Sequence, residues 1–210
     1  MKNKWIILAV LVVLLTAAGG VLYYILTPHT AEDYYERLQK RAGQVPAGDI
    51  EKTQQLVGEY EQTRLLFEEK FPGSDLRDDL LLEQARLVDD RLQDATTALT
   101  LYKEFIEVFP ESNSAPQALF RSGEILFEQE QYLASIETFR KLIQQYPEHE
   151  LADDTLYQLG LLYEHIGEYP IALSELRRLI ADYPDSPLAA KAQLKIASIL
   201  GEKMDQRKEA

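Results

Sequence analysis

Four aromatic-proline pairs, Phe71-Pro72, Phe109-Pro110, Tyr146-Pro147 and Tyr183-Pro184, punctuate the chain at a nearly constant interval. The last three stand 37 residues apart, and the first lies 38 residues upstream of the second. A fixed period of this size is the signature of a stacked repeat array, because each unit buries its apolar face only against its neighbours. Each proline follows a run of helical apolar spacing, so its missing N–H and fixed φ predict a helix stop.

Aligned on those prolines, Leu119, Gly123 and Phe139 meet Leu156, Gly160 and Leu176. Leu81, Ala85 and Tyr102 join them once one extra residue is allowed in a loop near Asp89 to Asp94, and the last copy supplies Gln193 and Ala197. Each unit reads as two helices. Leu156, Leu159, Gly160 and Tyr163 fall at i, i+3, i+4 and i+7, an apolar face with a small residue where a neighbouring helix must come close. Leu173, Leu176, Leu179 and Ile180 carry the second helix, as do Ile136, Phe139, Leu142 and Ile143 one repeat earlier. Gly167 marks the break between helices, and Ser186-Pro187 reads as an N-cap followed by proline at the first helical position.

This pattern resembles the tetratricopeptide repeat. Leu156, Leu159, Gly160, Tyr163, Ala172, Leu176 and Pro184 fill the positions of that family's pattern. Leu119, Gly123, Phe139 and Pro147 fill it again, with Ser122, Leu126 and Ser135 where the family has Leu, Tyr and Ala. The period is 37 rather than 34, the extra residues lying in the linker after the proline. That longer linker is similar to the variant of bacterial outer-membrane assembly lipoproteins and of the periplasmic coordinator of the Tol-Pal system. The resemblance covers about residues 71 to 200 and implies an all-α, helix-turn-helix solenoid that binds proteins.

Composition narrows the function classes. With no cysteine, disulfides, thiol catalysis and lipid attachment at an N-terminal cysteine are excluded, which separates this chain from the lipoproteins its repeats resemble. The net charge is −13, and every acid lies beyond residue 26, so the repeats repel phosphate backbones and nucleic acid is not an expected partner. The three histidines, His29, His149 and His165, are far apart and fit no metal-ligand spacing, and neither a phosphate loop nor a nucleophile motif is present. No catalytic, metal or cofactor site is expected. His149 occupies the linker position of Ser112 and Ser186, where a cap or turn residue is expected, and Asp78-Asp79 and Asp153-Asp154 open first helices, where acids complement the helix dipole.

Residues 1–4 form a short basic tail, and residues 5–26 carry no charge. At 1.5 Å per residue this segment spans about 33 Å, enough for a bilayer core, with Trp5 and Tyr23-Tyr24 at belt positions. A cleaved signal peptide ending in the small residues 16–20 is the competing reading; hydrophobicity resuming over 21–26 favours an anchor. Lys2 and Lys4 favour a cytoplasmic N-terminus, although Arg37, Lys40 and Arg41 nearly balance them. Amphipathic helices are expected from Ala31 to Ala42, with Tyr34, Leu38 and Ala42 on one stripe, and after an Asp49 cap, with Ile50, Val57, Tyr60 and Phe67.

The expected organisation is a transmembrane anchor over 5–26, a capping helical pair over 31–70, repeats over 71–108, 109–145 and 146–182, a capping helix over 183–203 and a tail over 204–210. Tetratricopeptide geometry would turn Leu82, Arg86, Phe120, Glu124, Phe127, Tyr157, Leu161, Glu164 and Leu194 to the concave side, where apolar residues bordered by acids suit a bound peptide or helix. The expected function is a membrane-anchored scaffold for protein partners in the bacterial envelope, single-pass in the inner membrane with the repeats on the periplasmic side. The alternative is a holdase-like chaperone or accessory subunit of a secretion or outer-membrane assembly machine.

Overall fold

A computed structural model of the chain describes residues 30–209, with side chains through residue 201. The described residues are helical and contain no strand. They divide into two compact units at Leu87–Val88, so the first expected repeat, 71–108, is shared between them. No helix among the described residues is long and apolar enough to cross a membrane, and residues 5–26, read as an anchor, lie outside the described residues.

The first unit holds α1 (Ala31–Gln44), α2 (Ile50–Lys70) and α3 (Leu76–Arg86). Thr30 starts α1 through a capping box, its Oγ1 accepting from Asp33 N at 3.1 Å while Asp33 Oδ2 accepts from Thr30 N at 3.1 Å. Asp49 caps α2, its Oδ1 accepting from Lys52 N at 3.0 Å. Leu38, Val45, Leu56, Tyr60, Phe67 and Leu80 form the core. The stripe expected on α2 is corrected at its start: the buried face is Thr53, Leu56, Tyr60 and Phe67, whereas Ile50 is 49% exposed. At 3.6 residues per turn, Ile50 sits roughly 90° from the centre of that face. Thr53 enters the core at little cost because its hydroxyl donates to the Asp49 carbonyl at 2.8 Å.

A π-helical turn (Leu87–Leu92) starts on the last residue of the first unit, and the second unit continues through α4 (Ala95–Val108), α5 (Ala115–Glu128), α6 (Tyr132–Gln145), α7 (Ala152–His165), α8 (Tyr169–Asp182) and α9 (Pro187–Glu209). Successive helices pack against one another, and α9 also touches α7. The recurring aromatics end their helices in one geometry, with Phe109, Tyr146 and Tyr183 at φ −126°, −132° and −130° and ψ 55° to 63°. The following proline bars each from the helical region. Tyr146 and Tyr183 add a bond, their hydroxyls donating to the carbonyls of Pro110 and Pro147 at 2.6 Å, one repeat back. Three residues beyond the aromatic, Ser112 Oγ, His149 Nδ1 and Ser186 Oγ accept from the N–H two residues on, at 3.1, 3.1 and 2.9 Å. His149 therefore does the turn work of a serine.

Inside each pair the small residue makes a close approach. A Cβ on Gly123 would lie 2.5 Å from Phe139 Cε1, and one on Gly160 would lie 2.6 Å from Leu176 Cδ2. Ser122 and Ser135, the two polar departures from the family pattern, are buried but satisfied, donating to the carbonyls of Ala118 and Gly123 at 2.7 Å.

Each first helix closes on a left-handed residue, which is Gly167 at φ 82° in one repeat but Glu130 at 60° and Gln93 at 53° in the others. The N–H after it reaches back five residues in two repeats, Glu168 to Tyr163 and Gln131 to Leu126, and six in the first, Asp94 to Val88. The additional residue expected in a loop is thus wound into the helix as the π turn. Asp94 then caps α4, accepting from Thr97 N at 3.1 Å, and the repeat register resumes.

Candidate functional site: an acid-rimmed recess between two repeats

Besides the tyrosine-proline bonds, successive repeats face each other at two positions on their first helices. Counted from the aromatic of the aromatic-proline pair, the twelfth residue of one repeat faces the eighteenth of the repeat before. At one junction these are Arg121 and Asp89, with Nε–Oδ2 at 2.5 Å and Nη2–Oδ1 at 2.9 Å, a bidentate pair. Two junctions later they are Lys195 and Glu164, at 2.8 Å.

Asp89 is only 6% exposed and also accepts from the Tyr102 hydroxyl at 3.3 Å. Its hydrogen bond holds the Arg121 guanidinium above its usual value, while burial and then the charges of Asp89 and Asp90 push the Tyr102 hydroxyl up. Arg121 also reaches Glu124 at 3.3 Å and Glu128 at 3.6 Å through Nη1. Burial raises the Glu124 carboxyl, against the pull of Arg121.

The junction between these two has no ion pair at those positions, because the residues there are Gln158 and Phe127. A recess of about 290 Å³ opens instead. Phe139, Leu161 and Leu162 give it an apolar lining, with Phe127 and Gln158, and Glu124 and Glu128 bring carboxylates to it. Phe127, 37% exposed, packs against Tyr132 and His165, whose ring centroids lie 5.7 and 5.5 Å away. His165 Nε2 and the Tyr132 hydroxyl are 3.0 Å apart, which ties these rings together.

Of the residues expected on a binding face, the recess gathers Glu124, Phe127 and Leu161. Phe120 is half-buried, 5.7 Å from the Phe139 ring, and Tyr157 is half-buried beside it in sequence register. Glu164 is engaged by Lys195, and Leu194 is 73% exposed on α9. In the first unit Arg86 is exposed and paired with Glu83 at 3.0 Å. Leu82 is corrected: at 3% exposure it offers a partner no surface. Leu80, Leu81 and Leu82 are buried in succession, so α3 is covered around more than one face. Sequence reasoning missed Arg121, Asp89 and Glu128. The signal was opposite charges recurring 32 and 31 residues apart, Asp89 with Arg121 and Glu164 with Lys195. Among the described residues no group of acids and histidines could hold a metal ion.

Residues 117–149 and 154–186 each match the family model of the tetratricopeptide repeat. Over these two segments the chain is similar to the tetratricopeptide repeat. No curated protein sequence matches it. Among solved structures, the chain is similar to the MamA protein, with 18% identity and a TM-score of 0.60 over 82% of both chains. It is also similar to the tetratricopeptide-like repeats of a putative kinesin light chain from Podosopora anserina, at 13% identity and a TM-score of 0.62 over 86% of this chain and 92% of that one. A tetratricopeptide repeat protein from Parabacteroides merdae gives 17% identity and a TM-score of 0.59 over 82% of this chain and 60% of that one. Identities this low speak for the solenoid fold alone.

Proposed function

We propose that this chain is a protein-binding scaffold whose recess between the two matched repeats seats a segment of a partner, and that residues 5–26 hold it at the inner membrane of a bacterial envelope with the repeats outside the cytoplasm. The observation that carries the reading is the apolar recess itself, formed where a junction lacks the ion pair its neighbours have, and opening beside the partly exposed Phe127. An exposed aromatic in a concave site is the kind of anchor that dominates binding energy when covered. The uncharged stretch over 5–26 supports the membrane attachment, and such confinement raises the effective concentration of the array for membrane-bound partners.

The test is site-specific photocrosslinking in intact membranes, with a photoreactive phenylalanine at Phe127 and, as control, at Leu133, which is 76% exposed on α6. A discrete adduct from position 127 and none from 133 is expected. Equal labelling at both, or none at 127, overturns the docking assignment. A smear of many adducts at 127 would instead mark a holdase. Protease added to spheroplasts is expected to digest the repeats; their complete protection until lysis would overturn the orientation.

A further inference from the structure

The recess has a charge pattern that its volume alone does not require. On either side, the stack supplies its own cation at the twelfth position, Arg121 on Asp89 and Lys195 on Glu164. At the central junction Gln158 stands where those cations stand, while Glu124 and Glu128 remain at the recess. Arg121 does not make up the deficit. Two of its nitrogens are committed to Asp89, and only Nη1 reaches the other two carboxylates, at 3.3 and 3.6 Å. One guanidinium among three carboxylates leaves the cluster negative. A second cation there would interact with Glu124 in a half-buried setting, where Coulomb attraction is screened less than in open water.

The remaining walls fit a particular kind of cation. Phe139, Leu161 and Leu162 are hydrocarbon, and a volume near 290 Å³ lies at the low end for ligand pockets, suited to one side chain rather than a cofactor. Long basic side chains bury their methylenes against apolar surface and keep the charged head at a polar edge. Phe127, fixed by Tyr132 and His165, adds an aromatic surface to which a cation is attracted. Resting on the docking role given to this recess above, we infer that it is a subsite for a lysine or arginine side chain of the partner segment, with the stem against Phe127, Leu161 and Leu162 and the cationic head between Glu124 and Glu128. The partner supplies in trans the cation that the stack supplies in cis at the neighbouring junctions.

The test uses the full chain, ¹⁵N-labelled, titrated with n-pentylammonium, n-pentylguanidinium, pentan-1-ol and pentanoate, following the amide signals of residues 124–128 and 158–162. The two cations are expected to bind about tenfold more tightly than the alcohol, with no response to the carboxylate. Glu124→Gln with Glu128→Gln should bring the cations down to the level of the alcohol. Glu128 is exposed, so Glu128→Lys tests the same point without risk to the fold and should abolish cation binding by occupying the site in cis. Alcohol binding as tight as the cations, or cation affinity unchanged in both variants, overturns the cationic subsite while leaving an apolar docking recess. Absence of any response to all four probes overturns both.

Discussion

Replacing Gly160 with alanine separates two opposing effects that the structure lets one weigh. Alanine in a helix interior is favoured over glycine by about 1 kcal/mol. Against this, the new Cβ would lie 2.6 Å from Leu176 Cδ2 and 2.7 Å from its Cγ. The Cγ is the branch point of a wholly buried side chain, so it cannot swing aside as a flexible tip would. Overpacking of this kind costs about 1–3 kcal/mol, and at the upper part of that range the net loss is about 1–2 kcal/mol, or roughly 5 °C in Tm. Thermal unfolding followed by circular dichroism provides the measurement. Gly58→Ala in α2, where the added Cβ meets nothing within 4 Å, is the control and should raise stability by about 0.5–1 kcal/mol. In a Leu176→Ala background the same Gly160→Ala change should become neutral or favourable. If Gly160→Ala stabilises as Gly58→Ala does, or its cost persists without Leu176, the close-approach reasoning is refuted.

Two further outcomes follow from the buried and crowded acids. Arg121→Ala strands Asp89 without its guanidinium and should cost about 3 kcal/mol in urea unfolding, with Arg121→Lys recovering only part because an ammonium cannot reproduce the two-point contact. Burial, and then the neighbouring Asp78 carboxylate, hold the Asp79 carboxyl above its usual 3.8, so its protonation favours the fold. That contribution is complete below pH 3.8 and is lost as pH rises through the higher folded value. Asp79→Asn should therefore raise Tm at pH 7 and leave it unchanged at pH 3.5; a decrease at pH 7 would show that the carboxylate is held by a favourable partner.

What the sequence discloses here is what acts locally or repeats. The aromatic-proline pairs announce helix ends because proline constrains its own neighbour, and Gly123 and Gly160 announce close contacts because the large residues opposite them, Phe139 and Leu176, recur in register. His149 is readable as a turn residue from the serines aligned with it. The remainder depends on facts that no single repeat contains. Arg121 and Asp89 become partners only when one repeat is laid on another, and either alone looks like a solvated charge. Glu130 and Gln93 do the conformational work of Gly167 without its tell-tale residue, so two of the three helix ends carry no glycine signal. The one-residue insertion reads as a loop because loops absorb insertions most easily, whereas the helix absorbs it by widening a turn. On α2 the apolar residues do not trace one clean face, and Thr53, polar by composition, is buried while Ile50 is not.

The bonds from Tyr146 to Pro110 and from Tyr183 to Pro147 join consecutive inter-repeat turns at 2.6 Å, all on the edge where second helices end and first helices begin. Mechanically they are short ties along a spine. The recess lies toward the other end of the first helices, and a 14-residue helix such as α5 is about 21 Å long. A change of pitch between successive helix pairs that keeps both ties intact is limited at that edge. It becomes a rotation about the tied edge, with the helix acting as the lever arm, and each degree of it is felt most at the rim formed by Phe127, Glu124 and Leu161.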